Sequence, residues 1–467
     1  MKAFWCAARG ATRRVLAVLA VGLAAVATVA LAAVDKDQTY AQMLVLAGQM
    51  ASLKPQISTS PVARTQYETA RGEYDRLSQL MGGDDPARAL QSEQRQQARA
   101  VGREQRRQVP AVPPMCNVSS GTYTQSTPVA IPTGPGVVTS TIVVSGAGPW
   151  IWDVDVRTFI QHTFAADLDI TITSPSGTVV TLTTDNGGSN DNVFNGTLWD
   201  DSAPSLVTDY VYTNLVVAPA LVPEEALGAF VGENPNGTWT ITVSDDLAGD
   251  GGSLDSWSLD IATLPAAPTT ATTTVSSSAP VTIADLATAT SSLTLAGGGL
   301  AIQEVRVTTA IRHTFAADID MTLTSPSGTV VTLTTDNGGS NDNVFNGTLW
   351  FDKANPGGQV PYTTNDGLVT DQAYVNLVTA TPLVPEGALS AFMGENPNGN
   401  WTLSITDDLA GDTGTLDSWS LEVTTATCAA PTPVQATPVP ALGWWGLLLT
   451  ALGCLAGVAA LGRRRDV

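Results

Sequence analysis

A 38-residue stretch at residues 162–199, HTFAADLDITITSPSGTVVTLTTDNGGSNDNVFNGTLW, recurs at residues 313–350 with 35 positions unchanged. The three differences are Leu168/Ile319, Ile170/Met321 and Ile172/Leu323. They lie two residues apart, and each exchanges one apolar side chain for another of similar volume. Period-2 spacing puts such residues on one face of a β-strand. Volume-conserving exchange is what a packed core tolerates. The pattern predicts two copies of one β unit.

The copies extend beyond the identical stretch, over about residues 117–264 and 281–427. Val, Thr, Ile and Gly dominate, and strand-like runs alternate with turn residues, the signature of an all-β domain. Ser174-Pro175-Ser176-Gly177 suits a type I turn between two strands. Both copies then carry an Asn-Pro-Asn-Gly turn leading to Trp239 or Trp401, and both close on an alternating Leu-Asp-Ser-Trp-Ser-Leu run. The offset between copies grows from 151 at Trp199/Trp350 to 162 at Trp239/Trp401, so the second carries 11 extra residues in an intervening loop. Residues 265–280, rich in Pro, Thr, Ser and Ala, read as a linker.

The flanks have a different composition. Lys2, Arg9, Arg13 and Arg14 precede an uncharged run, and Ala30-Leu31-Ala32 fits a cleavage site, so residues 1–32 read as a secretory signal. Residues 33–110 are rich in Gln, Ala, Arg and Glu and predict a short helical segment. Its last helix carries Arg88, Arg95, Arg99, Arg103, Arg106 and Arg107. Residues 429–442 are a Pro/Thr-rich spacer. Residues 443–462 carry no charge and are long enough to cross a bilayer as a helix, with Arg463, Arg464 and Arg465 behind them. The expected order is signal, helical segment, two β domains outside the inner membrane, and a membrane span with a basic tail (443–467).

Charge narrows the function. Residues 111–430 hold four basic side chains, Arg157, Arg306, Arg312 and Lys353, against 33 acidic ones. Such a surface repels nucleic-acid phosphates. It attracts divalent cations or basic partners, or simply keeps an exported protein soluble. Cys116 and Cys428 flank the array; in an oxidising compartment they pair and staple its ends, and otherwise they are two free thiols.

The ordered motifs His162-Thr163, Asp167-Leu168, Ser174-Pro175-Ser176-Gly177-Thr178, Asn236-Gly237-Thr238-Trp239 and Leu254-Asp255-Ser256-Trp257-Ser258-Leu259 resemble the P domain (Homo B domain) of kexin- and furin-like proprotein convertases. The second copy matches at equivalent positions. The resemblance implies a jelly-roll-like β-sandwich for each copy, making the fold mainly β. The C-terminus resembles an IPTL-type sorting tail through Val439, Pro440, Leu442, Trp445 and Gly446, with Val and Ala replacing the usual first Ile and the Thr. That resemblance implies an exosortase-like membrane protease as partner and a cell-surface or extracellular destination.

In convertases the P domain accompanies a subtilisin-like domain with an Asp/His/Ser triad. Here the two histidines, His162 and His313, both lie inside the P-domain motif. No segment remains that is long enough for a subtilase domain. The expectation is a non-catalytic protein whose histidines make structural hydrogen bonds. The alternative is an accessory component of a serine-type endopeptidase, or an enzyme of another kind. The best ligand candidate is the Asp/Asn/Gly loop at residues 185–192 with its copy at 336–343. Asp185, Asn190, Asp191, Asp336, Asn341 and Asp342 supply the hard oxygens that calcium takes. The competing reading is a Gly/Asn turn that bonds its own backbone. No other cofactor motif is present.

Overall fold

The computed structural model describes residues 116–354 and 366–428, together with isolated helical positions between residues 42 and 77. The signal, most of the helical segment, the sorting motif and the apolar C-terminal run lie outside the described residues. So do residues 355–365, which are the eleven additional residues of the second copy. Among the described residues no helix is long and apolar enough to cross a membrane. Ala70 and Leu77, seven residues apart on the helical segment, are buried.

The first domain is two sheets face to face, antiparallel except for one short parallel pair, Asn195–Trp199 with Ala220–Leu221, at an edge. One has the order β1 (Ser119–Gln125), β10 (Gly252–Leu264), β4 (Trp150–His162), β7 (Asn195–Trp199) and β8 (Ala220–Leu221), with β2 (Val129–Ile131) also on β10. The other has the order β3 (Gly136–Val144), β9 (Gly237–Asp245), β5 (Leu168–Thr173) and β6 (Val179–Thr183). The second domain repeats both sheets. The first becomes β11 (Thr269–Ser277), β19 (Gly414–Thr427), β14 (Ile302–His313) and β17 (Asn346–Trp350), with β12 (Val281–Ile283) on β19. The other becomes β13 (Thr288–Leu295), β18 (Gly399–Asp407), β15 (Ile319–Thr324) and β16 (Val330–Thr334). The fold is mainly β and sandwich-like, as the alternating patterns predict.

The exchanged residues lie in the cores. Leu168, Ile170 and Ile172 of β5 are buried against the facing sheet, as are Ile319, Met321 and Leu323 of β15. Each buried side chain of this size contributes about 1.5–3 kcal/mol of transfer free energy. Three tryptophans per domain fix the packing. Trp239 Nε1 donates to the Pro235 carbonyl at 2.9 Å, Trp257 Nε1 to Ser140 at 3.0 Å and Trp199 Nε1 to Thr158 at 3.0 Å. Trp401, Trp419 and Trp350 repeat these bonds. Trp239 also meets Phe230 edge-on, with centroids 5.0 Å apart.

The linker expected at residues 265–280 is not one. Residues 269–277 form β11, which pairs with β19 over its whole length and matches β1 of the first domain. The run TTATTTVSS is compositionally biased, but Thr and Val are β-branched and favour a pleated edge. The second domain therefore begins at Thr269 rather than at residue 281, and only residues 265–268 separate the last strand of one domain from the first of the next.

The domains meet along a seam with matching halves. Two short 3-10 turns, Leu227–Phe230 and Leu389–Phe392, face each other there. Asp201 accepts from the backbone N–H groups of Leu227 and Gly228, and Asp352 from those of Leu389 and Ser390. Ser390 Oγ donates across the seam to Asp201 at 2.5 Å. A Cβ on Gly228 would lie 2.6 Å from the Cβ of Ser390, so this half of the seam requires glycine. Lys353 Nζ donates to the Val231 carbonyl at 2.8 Å. Cys116 and Cys428 form a disulfide with their Cα atoms 5.0 Å apart, packed with Trp152, Leu264, Met393 and Ala426 from both domains.

Candidate functional site

The histidines stand where β4 and β14 end. His162 is buried, and its Nε2 lies 3.1 Å from Asp245 Oδ2. Its Nδ1 lies 2.7 Å from the Phe164 carbonyl and 3.2 Å from the Phe164 backbone nitrogen. His313 makes the same contacts with Asp407 and Phe315. Both ring nitrogens are engaged inside the fold, and neither pairs with a serine hydroxyl among the described residues. A triad needs the nitrogen opposite the acid to face the nucleophile; here that position is filled by backbone.

The Ser-Pro-Ser-Gly-Thr turn is tied to the loop before Trp239. Ser174 Oγ donates to Glu233 at 2.6 Å, and Thr178 Oγ1 donates to the other carboxylate oxygen. Gly177 N–H closes the turn on the Ser174 carbonyl at 3.0 Å. Ser325, Thr329 and Glu395 repeat the arrangement. This motif is a brace between two loops.

The Asp/Asn/Gly loop also spends its groups on folding. Ala165 and Ala166 N–H donate to the carbonyls of Asn190 and Gly188, both at 3.1 Å. The Asn190 carboxamide donates to the Gly187 carbonyl at 2.7 Å, and Asn192 Oδ1 accepts from the His162 backbone at 3.0 Å. Asp185 is buried at φ +53°, and Gly187, at φ +98°, passes so close to Ala165 that a side chain would not fit. Asp191 N–H donates to Asn214 Oδ1 at 2.6 Å, while its carbonyl accepts from Leu215. In the copy, Asn341 bonds Gly338, Asp342 bonds Asn376, and Asp336 has φ +58°. Among the described residues no group of three or more His, Cys, Asp or Glu side chains is arranged to hold a metal ion. The backbone and carboxamide bonds of these loops are those of a Gly/Asn turn.

The charged feature that the motifs do not reveal lies on the outer face of the larger sheet. Asp155 of β4 is directly opposite Asp260 of β10, which is opposite Thr122 of β1. Asp200 follows Trp199, the residue paired with Val156, and continues the row beyond Asp155. Asp153 stands two residues along β4 on the same face. Thr122 Oγ1 donates to Asp260 at 2.5 Å. Arg157, the nearest cation on the strand, donates instead to the Gly196 carbonyl at 3.0 Å. Like charges directly opposite on a sheet are unfavourable. Burial, then the charges of Asp153, Asp200, Asp201 and Asp260, push Asp155 up to about 9. Burial and the Asp200 charge push Asp153 up to about 7. Burial also raises Asp200. At the adjoining seam, burial and the Asp352 charge raise Asp201 to about 8, and burial raises Asp352 to about 6.

In the second domain the same row reads Thr274, Glu422, Arg306 and Phe351, with Glu304 in place of Asp153. Arg306 Nε lies 2.9 Å from Glu304 and its Nη1 3.9 Å from Glu422. Its guanidinium sits 4.1 Å from the centre of the Phe351 ring. The signal in the sequence was the exchange of Asp155 for Arg306 and Asp200 for Phe351 between otherwise close copies; its meaning required the strand register.

The family model for the Proprotein convertase P-domain matches residues 151–261 and 302–423, one match in each sandwich. A curated relative, the Transglutaminase-activating metalloprotease of Streptomyces mobaraensis, is 34% identical over 139 residues, which is 29% of this chain and 14% of that protein. Among solved structures, the serine protease of Aeromonas sobria is similar at 19% identity, over 34% of this chain and 27% of that one, with a TM-score of 0.22. PNGase F from Flavobacterium meningosepticum is similar at 11% identity, over 67% of this chain and 97% of that one, with a TM-score of 0.23. The chain spans less than a third of the length of the two proteases.

Proposed function

With two tandem P domains as the premise, we propose that this chain is an exported, non-catalytic binding protein of the cell surface or exterior. It presents the P-domain pair to another surface protein. The observation that carries this reading is that the chain's two histidines each have both ring nitrogens committed within the fold. The disulfide supports an oxidising compartment. The N-terminal signal delivers the chain, and the tail at Val439, Pro440, Leu442, Trp445 and Gly446 is read by an exosortase-like protease that releases it from the inner membrane.

A second reading follows from the name of the curated relative, a metalloprotease. The partner is then a separately encoded peptidase, and the P domains act as its accessory. Both readings predict that a fluorophosphonate probe leaves the purified full chain unlabelled. Labelling that disappears on a single serine substitution would contradict both. Replacing Trp445 and Gly446 should hold the unprocessed form in the inner membrane; normal release of that variant would remove the sorting step.

A further inference from the structure

The row on the first domain is an acidic cluster, and the second domain shows what such a row accommodates. The two rows occupy the same strands in the same register. In one, Glu304 and Glu422 flank a guanidinium that lies over Phe351. In the other, Asp153 and Asp260 occupy those flanking positions, Asp200 replaces the ring, and the central residue is itself an acid, Asp155. No ion pair joins Asp153, Asp155, Asp200 or Asp260 to a cation among the described residues. The four cations of the β domains are placed elsewhere. Arg157 is on Gly196, Arg306 is in its own row, Arg312 is bidentate to Asp417 and Lys353 is on Val231.

We propose that the row Asp153, Asp155, Asp200 and Asp260 receives an arginine side chain from a protein partner, as the second domain receives its own Arg306. This rests on the binding role proposed above and names the chemistry of that partner: a basic segment with an arginine free to lie across the sheet. Arginine fits better than lysine because the planar guanidinium offers several donors in one plane and can bridge carboxylates on neighbouring strands. Carboxylates held together without a counterion gain most from a cation that also donates hydrogen bonds. A bound guanidinium favours ionised over protonated forms of Asp153 and Asp155, and so draws their protons off.

The test uses the purified full chain and a fluorescein-labelled Gly-Arg-Gly-Arg-Gly peptide, at an ionic strength near physiological so that diffuse attraction is screened. The wild type should bind it, and Asp155→Arg should weaken binding roughly tenfold or more. Asp366→Arg, the same substitution at an exposed acid of the second domain, should stay within about twofold. The lysine version of the peptide should bind roughly threefold or more weaker. If Asp155→Arg does not fold, Asp155→Asn gives the same readout by removing the central acid alone. Equal weakening by Asp366→Arg would overturn the proposal, because general acidity would then explain the binding. Displacement of the peptide by calcium, with calcium itself bound only while Asp155 is present, would overturn it in favour of a divalent-ion site. Peptide binding that emerges only after Arg95, Arg99, Arg103 and Arg106 are replaced by Gln would overturn the partner as source, since the chain's own arginines would then fill the row. Serine labelling reads the non-catalytic function separately, so failure of one reading is distinguishable from failure of the other.

Discussion

Asp155 and Arg306 hold the same place in two copies of one domain, an acid in one and a base in the other. Around them the copies share their core tryptophans, their buried His–Asp pairs and their Ser/Thr–Glu braces. The contrast separates what the fold requires from what a surface is free to change. Most core positions vary by apolar exchange, with Trp152 against Gln303 as an exception, whereas one row of the outer face is a closed ion-pair set in one copy and an acidic row in the other. The seam shows a smaller version of the same divergence, where Gly228 faces Ser390.

Equivalence of the cores can be broken directly. Trp239→Ala and Trp401→Ala each remove a fully buried ring and should each cost about 3–5 kcal/mol. Chemical denaturation of the two variants should give matching losses; a loss confined to one would show that the domains do not depend on their cores alike. The disulfide tests whether the pair behaves as one body. Cys116→Ser opens a closure spanning 312 residues and should cost about 2–5 kcal/mol. If melting is unchanged, the seam alone holds the termini.

Much of this was legible in the sequence. Repeat length, the inward face of β5 and the turn at Ser174 follow from period-2 alternation and Pro/Gly placement, which are local. The role of Thr269–Ser277 was hidden because a Thr/Ser-rich edge strand and an unstructured linker share a composition; only pairing with β19 tells them apart. The candidate site was the least legible part. Asp155, Asp260 and Asp200 lie on three different elements, and nothing in their spacing joins them until the strands are in register. The Asp/Asn/Gly loop stood out by composition, yet the structure uses it to brace the turn after His162.

Calcium gives the smallest expected effect. Because the backbone and the Asn190 and Asn341 carboxamides of the loops at residues 185–192 and 336–343 are engaged within the fold, melting should be unchanged by added calcium or by a chelator. A rise with calcium, lost on replacing Asp191 and Asp342, would show that these loops assemble an ion site.

The contrast between the two rows is most directly read from stability against pH. Asp153 and Asp155 hold protons in the folded chain at pH values where unfolded aspartates are ionised. The folded state therefore binds more protons, and its stability falls as pH rises from the ordinary aspartate value of 3.8 to about 9. Asp155→Arg gives the first row the central cation of the second and removes the most strongly raised carboxyl. Its unfolding free energy, followed beside the wild type from acid to mildly alkaline pH, should pull ahead steadily as pH rises, by roughly 1 kcal/mol or more at the alkaline end. Parallel curves, or a variant that loses ground with pH, would contradict an uncompensated acidic row on the first domain.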